Sequence, residues 1–417
     1  MTRAMRDSGV GWLGDIPTDW NVVPSRALFG ERKTRSSASD IHLTPSQKYG
    51  VLPQSQYMEI TGNKVVLNLS GSDNMRHVEP GDYISHLRSF QGGLEHATLS
   101  GKVSAAYTVL KPKTPVDARY FKYLFKSALY VQALQTTTDQ LRDGQSIRFG
   151  EFSLIPLPHP PIAEQRAIAD FLDRETAQID AFITKNEELI TLLTERRAAA
   201  VTAAIATAGR TSARVALRFI ATVLDCKHVT AEPTEGNESF AVASVREVAG
   251  KWVDITNARR TSRHSFVNLG EGGRQLRAWD LVVCRNASVG KVSIVPPGIE
   301  PTVLGQDVSL IRVADANPGI ARFVYYALTS AIGVDAFEQA SIGSTFRRIN
   351  VDDIKSLRLP TVNGEEGGAI ADSLDAVTTR LDSALGTAQR SIDLARERRA
   401  ALISAAVTGK IDMGVSA

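Results

Sequence analysis

Apolar residues recur at alternating intervals of three and four along two long stretches of the chain, residues 167–206 and 369–408. Both stretches are rich in Ala, Glu, Arg and Leu, and they contain no Pro and no Gly except Gly386. This composition and spacing predict two long helices, each with an apolar stripe that needs a partner. A heptad frame places at core positions Ile168, Leu172, Ile179, Phe182, Leu189, Leu193 and Ala200 in the first stretch, and Ile370, Leu374, Val377, Leu381, Ala384, Ala388, Ala395 and Leu402 in the second. Polar residues interrupt the frame at Glu175, Asn186, Arg196, Ser391 and Arg398.

The two stretches are copies of each other. Ala167-Ile168-Ala169-Asp170 recurs 202 positions later as Ala369-Ile370-Ala371-Asp372, and the register continues without a gap to the Glu-Arg-Arg-Ala runs that begin at Glu195 and Glu397. A helix of about 45 residues is roughly 67 Å long, the length of about 20 base pairs of DNA, and cannot bury its stripe alone. We therefore expect the copies to pair antiparallel as a rigid coiled-coil spacer. The alternative is two unrelated surface helices of a large enzyme.

Short apolar runs broken by Gly, Asn and Ser predict strands and turns in the regions before and between these helices. Helical patterns at Ala118 to Gln135 and at Ala321 to Thr329 occupy matching places in the two regions. The predicted fold class is therefore α+β, with two pseudo-repeated mixed α/β domains separated by two long helices that pair as an antiparallel coiled coil. The predicted segments are a first domain at 1–160, a first helix at 161–210, a second domain at 211–360 and a second helix at 361–417.

Composition and charge indicate which class of protein the chain belongs to. Hydrophobic residues make up 43% and charged residues 22% of the 417 positions, which is ordinary for a globular protein. Because no run of 18 apolar residues and no signal peptide occurs, we expect a cytoplasmic protein with no membrane partner. Cys226 and Cys284 lie far apart without zinc-site spacing, so neither a metal nor a disulfide is predicted. The net charge is +3, with the excess of base in the two domains and mildly acidic helices. Domains that contact nucleic acid and helices that contact protein would show this distribution.

The sequence carries no recognisable catalytic motif. It has no Gly-x-x-x-x-Gly-Lys phosphate loop, no Gly-x-Gly-x-x-Gly turn and no His-Glu-x-x-His, and His159-Pro160-Pro161-Ile162 lacks the residues of an amino-methyltransferase motif. This favours a binding protein whose partners supply the chemistry. The alternatives are a catalytic nuclease or fused DNA methyltransferase, and a coiled-coil adaptor that does not bind DNA.

Polar loops in both domains carry the side chains that DNA contact requires, namely Arg and Lys for phosphates and amide, hydroxyl or guanidinium groups for base edges. One such side chain alone is equally typical of a solvated surface, but the sets favour DNA. The candidates are Arg88, Ser89, Gln91, Gln140, Arg142, Gln145 and Arg148 in the first domain, and Arg285, Asn286, Lys291, Ser344, Thr345, Arg347 and Arg348 in the second, with Arg259, Arg260 and Arg263 as a further basic cluster. The recurring pairs Arg196-Arg197 and Arg398-Arg399 are expected to bind carboxylates or a partner and not DNA.

Several short motifs resemble those of one known family. They are Gly14-Asp15-Ile16-Pro17 with Trp20, Pro80-Gly81-Asp82-Tyr83 with Val103-Ser104, Leu157-Pro158 followed by the run Pro160-Pro161-Ile162-Ala163-Glu164-Gln165-Arg166, Asp225-Cys226-Lys227-His228, Gly305-Gln306-Asp307 and Gly343-Ser344-Thr345-Phe346-Arg347. With them the chain resembles, over nearly its whole length, the specificity subunit of type I restriction-modification systems. The Pro-Pro-Ile-Ala-Glu-Gln-Arg junction is the most specific motif.

The resemblance implies two target recognition domains that each read half of a bipartite site in double-stranded DNA. It further implies that the helices hold the domains apart and dock two modification subunits through residues such as Ile168, Leu172, Ile179, Phe182, Leu189, Leu193, Ile370, Leu374 and Leu381. Restriction subunits would complete the complex, and S-adenosylmethionine, ATP and magnesium would be bound by the partners and not by this chain. The second junction, residues 359–368, lacks the Pro-Pro-x-x-Glu-Gln-Arg pattern, so its helix is expected to start differently or more loosely.

Overall fold

The chain divides into two compact units, each with one domain and a segment of each long helix. The computed structural model describes residues 3–63, 75–86, 89–137, 147–234, 239–286, 288–343 and 347–414. Unit 1 comprises Met1–Asn186 and Arg390–Ala417, and unit 2 comprises Glu187–Gln389. In the described part of the chain, no helix is both long enough and apolar enough to cross a membrane.

The domain of unit 1 is built on a four-stranded antiparallel sheet. Its strands are β1 (Met5–Asp7), β2 (Asp15–Pro17), β3 (Asn21–Pro24), β4 (Phe29–Glu31), β5 (Leu43–Ser46), β6 (Gly50–Pro53), β7 (Arg76–Val78), β8 (Tyr83–Ser85), β9 (Glu95–His96), β10 (Gly101–Val103), β11 (Thr108–Pro112) and β12 (Pro156–His159). The main sheet has the order β4-β11-β8-β9, and the pairs β1-β2, β3-β12, β5-β6 and β7-β10 lie beside it. Since β3 pairs with β12, the two ends of the domain meet just before the first long helix.

Helices cover this sheet and fill the core with aromatic rings. They are α1 (Ser25–Leu28), α2 (Gln54–Thr61), α3 (Ser89–Gly92), α4 (Ala118–Lys126), α5 (Ala128–Gln135) and α6 (Phe149–Ser153), and the first long helix, α7 (Ile162–Thr211), follows. Asp117 and Ser127 cap α4 and α5 by accepting hydrogen bonds from the first free N–H groups. Phe29, Phe121 and Phe125 pack edge to face or tilted in the centre. Their core also contains Ile168, Leu172, Ile403, Ala406 and Val407 from the two long helices.

The domain of unit 2 repeats the sheet of the first. Its strands are β13 (Arg214–Ala216), β14 (Ala221–Asp225), β15 (Phe240–Ala243), β16 (Arg259–Thr261), β17 (Leu281–Cys284), β18 (Val292–Ile294), β19 (Thr302–Leu304), β20 (Val308–Val313) and β21 (Arg358–Pro360). The order β14-β20-β17-β18 corresponds to β4-β11-β8-β9, and β13-β21 corresponds to β3-β12. The remaining sheets differ, because unit 2 has a three-stranded sheet, β16-β15-β19, with a parallel pair. Thus the sheet that packs on the helices is shared and the outer part is not.

The helices of unit 2 lead into the second long helix. They are α8 (Arg263–Gly270), α9 (Pro318–Thr329), α10 (Ala331–Ala340), α11 (Val351–Ser356) and α12 (Gly364–Val407), with short 3-10 helices at Leu217–Phe219, Val245–Glu247, Glu271–Gly273 and Ala314–Ala316. Val201 and Ile205 of α7 share one core with Ala371 and Leu374 of α12. Asn317 and Ser330 cap α9 and α10, as Asp117 and Ser127 cap α4 and α5.

In each unit, α7 and α12 run antiparallel. In unit 1 Arg399 donates to Asp180 over 2.9 Å, and in unit 2 Arg197 donates to Asp382 over 2.8 Å. These are the same pair of repeat positions with the helices exchanged. The predicted antiparallel pairing is confirmed. The prediction that Arg196-Arg197 and Arg398-Arg399 bind carboxylates is confirmed at the second arginine of each pair.

The predicted heptad frame has two core positions per heptad, and each set of equivalent positions forms a column along the helix. One column is correct, and the other is displaced by one residue. Leu172, Ile179, Leu374, Leu381 and Ala388 are buried as predicted. At the other core position of the frame Ile168 is buried as predicted, but the frame is wrong further along, because Phe182, Leu189, Val377 and Ala384 are exposed. The inward column is instead formed by Thr176, Ile183, Ile190 and Arg197 on α7 and by Thr378, Leu385, Ile392 and Arg399 on α12. Of the polar residues that interrupt the predicted stripe, Arg196 is exposed and Glu175 is half-buried, and neither belongs to the inward column.

The two domain-to-helix junctions are built differently. At the first, buried Glu164 accepts from the indole of Trp20 over 2.8 Å and from Arg3, and buried Gln165 accepts from the N–H of Asp117 over 2.9 Å. The second junction is a close contact between glycines, in which a Cβ on Gly319 would lie 2.8 Å from the Cα of Gly368. Asn363 accepts from the N–H of Glu366 at the start of α12. The second helix therefore starts differently, as expected from the missing motif.

Candidate nucleic-acid interface

The predicted DNA-contacting residues of the first domain fall into two groups. Arg88, Gln140, Arg142 and Gln145 lie outside the described residues. Ser89 is buried and its hydroxyl accepts from the N–H of His86 over 2.7 Å, so it holds the start of α3. Gln91 is exposed on α3, at the rim of a groove of about 550 Å³ that Lys126, Gln132 and Arg396 also line. Arg148 is exposed at the start of α6.

In the second domain, two predicted contact residues hold the loop that follows β17. The guanidinium of Arg285 pairs with Asp225 and donates to the carbonyl of Ile349 over 3.2 Å. The amide of Asn286 donates to Asp307, a residue with a φ of 65°. These bonds give Arg285 and Asn286 internal roles, and their contact with DNA stays a prediction.

The basic residues near the end of this domain line one groove. Lys291 and Arg347 flank about 250 Å³ of space whose walls include Phe337, Ser288 and Ser341. Arg347 also lies 3.3 Å from exposed Glu338. Ser344 and Thr345 lie outside the described residues. Two backbone hydrogen bonds, of 2.9 and 3.0 Å, join Ile342 and Arg348, and Arg347 and Arg348 are both exposed at this bridge.

The structure adds a basic groove that the sequence prediction missed. Residues that line about 420 Å³ in unit 1 are Glu31, Lys33, Thr34, Arg35, Met75, Arg76 and Ala105. Lys33 and Arg35 are exposed, whereas Arg76 pairs with Glu31 over 2.6 Å. In the sequence, the run Glu31-Arg32-Lys33-Thr34-Arg35 is the pattern from which this basic groove could have been predicted. Arg32 is different, because it donates to buried Asp82 over 2.6 Å and so holds the turn before β8. Burial nevertheless raises the pKa of Asp82.

The same turn exists in both domains with different residues. Arg312 donates to buried Asp280 over 2.6 Å, as Arg32 does to Asp82. The residue before the aspartate has a left-handed backbone in each case, with a φ of 93° at Gly81 and 72° at Trp279. The glycine-aspartate motif is therefore structural, and the second domain has kept the conformation without the glycine.

Three possible metal ligands lie together in unit 2. Donor atoms of Asp225, Cys226 and His228 are all within 4.8 Å of one another, although the sequence spacing did not predict a metal site. The Asp225 carboxylate already binds Arg285, and burial and the charge of Asp225 raise the pKa of the Cys226 thiol. Both features oppose thiolate coordination, so the group supports the loop better than it fits a cation.

Exposed apolar side chains occur on the long helices in both units, and one pair of them, Leu192 and Leu394, occupies matching repeat positions. In unit 1, Phe182 is 48% and Leu394 65% exposed, and with Ile179 and Ala395 they line a groove of about 410 Å³. In unit 2, Leu189, Leu192 and Val377 are similarly exposed. Single exposed apolar residues are common, but clusters on a helix surface are typical of protein contact sites.

Known relatives share parts of the sequence. Residues 273–388 match the family described as type I restriction modification DNA specificity domain. The chain is 28% identical to the type I restriction enzyme EcoKI specificity subunit of Escherichia coli K12 over 111 residues, which are 27% of this chain and 24% of that protein. It is 23% identical to the EcoBI specificity subunit of Escherichia coli over 301 residues, 64% of this chain and 61% of that one. The chain thus matches less than two thirds of the length of each relative.

Solved structures share the fold over nearly the whole chain. A chain from a study of complex assembly and conformational transition of the type I R-M system aligns with a TM-score of 0.67 at 13% identity, covering 95% of this chain and 99% of its own. The HsdS subunit from Thermoanaerobacter tengcongensis aligns with a TM-score of 0.50 at 14% identity, covering 95% and 98%. The sequence match over residues 273–388, the repeated domains and the paired helices agree, and the chain is similar in part of its sequence and in its fold to specificity subunits of type I restriction-modification systems.

Proposed function

We propose that this chain is the DNA sequence-specificity subunit of a type I restriction-modification complex, in which each domain reads one half of a bipartite target. The duplicated architecture is the observation that supports this proposal. The sheet that packs on the long helices is the same in both units, whereas the outer sheets and the loops with exposed Arg and Lys differ. A shared framework with different outer parts suits two readers of different sequences.

The partners supply the chemistry in this proposal. Two modification subunits dock on the long helices and bring S-adenosylmethionine, while restriction subunits bring ATP and magnesium, and the chain itself is not an enzyme. Exposed apolar residues of α7 and α12 in each unit, among them the matching pair Leu192 and Leu394, support one docking site in each unit. The family resemblance supports the same assembly.

A methylation assay tests the proposal. The purified chain, its cognate modification subunit and the mixture are each incubated with S-adenosylmethionine and DNA fragments that cover the host genome. We expect methyl transfer only by the mixture and only at one bipartite sequence. Methylation or cleavage by the chain alone would favour the enzyme alternative, and a complex without DNA binding would favour the adaptor.

Replacement of one domain tests the division of labour. Because β13 pairs with β21, residues 214–360 can be exchanged at paired ends for the equivalent segment of a relative without cutting a sheet. We expect the methylated sequence to change in one half-site only. A change in both halves would show that the domains do not read independently.

A further inference from the structure

A cluster of five polar residues joins the domain of unit 1 to α7. The Arg119 guanidinium donates to Asp170 over 2.6 Å and to Asp173 over 3.0 Å. One turn further along α4, the Tyr123 hydroxyl donates to Asp173 over 2.8 Å and lies 3.1 Å from the hydroxyl of Thr176. The Thr176 hydroxyl also donates to the carbonyl of Leu172, which fixes its orientation.

The same five residue types form the equivalent cluster in unit 2. Arg322 of α9 donates to Asp372 over 2.6 Å and to Asp375 over 2.9 Å. Tyr326 donates to Asp375 and lies 3.1 Å from the hydroxyl of Thr378. Residue types and geometry are therefore both retained, although Phe121 and Phe125 of α4 are replaced by Val324 and Leu328 at the matching positions of α9.

Conservation of the polar cluster beside a changed apolar core indicates its role. Apolar contacts are not directional, so α4 or α9 could tilt on the long helix with little loss of buried area. Paired hydrogen bonds from a guanidinium and a phenol to one helix face require a particular angle. Burial, followed by the contact with Asp173, raises the pKa of Tyr123 to about 12, so its hydroxyl remains a donor at neutral pH.

The second cluster has an additional cation. The ammonium of Lys251 lies 2.5 Å from Asp375, so that carboxylate receives three donors. Burial alone would raise the pKa of Asp375, but hydrogen bonds from Lys251, Tyr326 and Arg322 hold it below the usual value. In the described part of unit 1, Asp173 receives hydrogen bonds from Arg119 and Tyr123. Among the described residues, Asp375 thus receives one more donor than Asp173.

We infer that these two clusters are positioning elements of DNA recognition: each sets the angle of its recognition domain on the long helices, and together they restrict the separation of half-sites that the chain accepts. The inference rests on the proposed function. Helix length would then set the approximate distance, and the clusters would set how strictly that distance is enforced.

The test removes hydrogen bonds from each cluster by substitution and measures how well the complex methylates targets with a changed spacer length. The variants are Arg119→Gln with Tyr123→Phe, and Arg322→Gln with Tyr326→Phe. Tyr130→Phe is the matched control, because the buried hydroxyl of Tyr130 has no hydrogen-bond partner among the described residues. The complete modification complex is assayed for methylation rate on the native target and on targets with a spacer one base pair longer or shorter.

We expect the rate ratio between native and altered spacers to fall about tenfold in each double variant, which corresponds to about 1.4 kcal/mol. The ratio between correct half-sites and half-sites with one mismatch should not change, and Tyr130→Phe should behave as wild type. The variant of the first cluster should lose more discrimination between spacer lengths than the variant of the second cluster, because Lys251 still binds Asp375 in the latter.

Two outcomes contradict the inference or its basis, and they can be told apart. If the melting temperature falls while spacer discrimination stays at the wild-type level, the clusters only stabilise the fold and the inference is wrong. If the wild-type complex shows no site-specific methylation, the proposed function itself fails. Should a double variant not fold, Tyr123→Phe and Tyr326→Phe alone keep both arginine ion pairs, and unchanged spacer discrimination in both would equally overturn the inference.

Discussion

Gly81 shows how a single backbone position directs a turn. Its φ of 93° lies in the region that L-residues avoid, and it places Asp82 where Arg32 can bind it. Gly81→Ala should therefore lower the free energy of unfolding by about 1–2 kcal/mol, measured by thermal or chemical denaturation. Gly150→Ala is the control, since Gly150 lies within α6 with open space around it and should gain slightly from the substitution. Equal effects at both positions would contradict the backbone explanation.

We expect exposed Arg347 and Arg348 to bind DNA phosphates. They lie at the backbone bridge between Ile342 and Arg348, and no base-specific geometry is needed for a phosphate contact. Replacing both with Ala should weaken binding to specific and scrambled duplexes alike, and should lower the salt slope by roughly one to two contacts.

Titrations of both duplexes at several salt concentrations measure this prediction. If the arginines read guanine edges instead, the loss would be confined to the specific duplex, at about 1–3 kcal/mol per bidentate pair, with an unchanged salt slope. Arg358→Ala, an exposed arginine on β21, provides a control for a general loss of charge.

At the scale of the helices, burial separates residues that stabilise the pair from residues that are free to contact a partner. Phe182→Ser with Leu394→Ser should leave the melting temperature nearly unchanged, because both side chains are exposed, but should weaken binding of the modification subunit. Isothermal titration of the two proteins measures this. Leu154→Ser, an equally exposed apolar residue of the first domain, is the control and should bind normally.

A buried residue of the same helices should respond in the opposite way. Ile392 is 2% exposed, and Ile392→Ala should cost about 2–5 kcal/mol of stability. Loss of partner binding in Ile392→Ala but not in the Phe182 and Leu394 variant would place the docking surface elsewhere.

The helices were also the part of the fold that the sequence predicted best. Their existence and antiparallel pairing follow from an ungapped repeat without proline. The frame was ambiguous, because Phe182 and Ile183, like Leu189 and Ile190, are adjacent apolar residues, and either member could complete a stripe with Leu172 and Ile179. Ile183 and Ile190 are the less exposed members, and helical periodicity alone does not decide between the two frames.

Residue roles in the loops predicted to contact DNA are the part that the sequence determines least. Residue type identified Arg285 and Asn286 as candidates, but these side chains bind Asp225 and Asp307 within the protein. An arginine that holds a loop and one that contacts a phosphate have the same local sequence pattern, and only the position of distant carboxylates distinguishes them. The clusters at Arg119 and Arg322 were missed for the same reason, since each joins residues about 50 positions apart.

At the scale of the whole molecule, the paired helices should set the distance between half-sites. Since Asp180 lies opposite Arg399 in an antiparallel pair, Lys185 lies near the level of Leu394. Heptads inserted after Lys185 and after Asp393 together should keep the register and lengthen the accepted spacer by up to about 3 base pairs, with both half-sites unchanged. Methylome sequencing of cells that express the variant measures this. An insertion after Lys185 alone would break the register and serves as the negative control, whereas a changed half-site sequence in the double insertion would contradict the prediction.

The completion of the first core by Ile403, Ala406 and Val407 has a consequence for biosynthesis. Residues 187–389 are continuous, so the ribosome delivers every part of unit 2 in one run, whereas the first domain emerges earliest and waits for the last residues of the chain. During that interval the apolar surface around Tyr120, whose hydroxyl finally donates to the carbonyl of Val407, lacks its cover. The N-terminal domain should therefore be the last to reach its native state on the ribosome, and the part of the nascent chain that most needs chaperones.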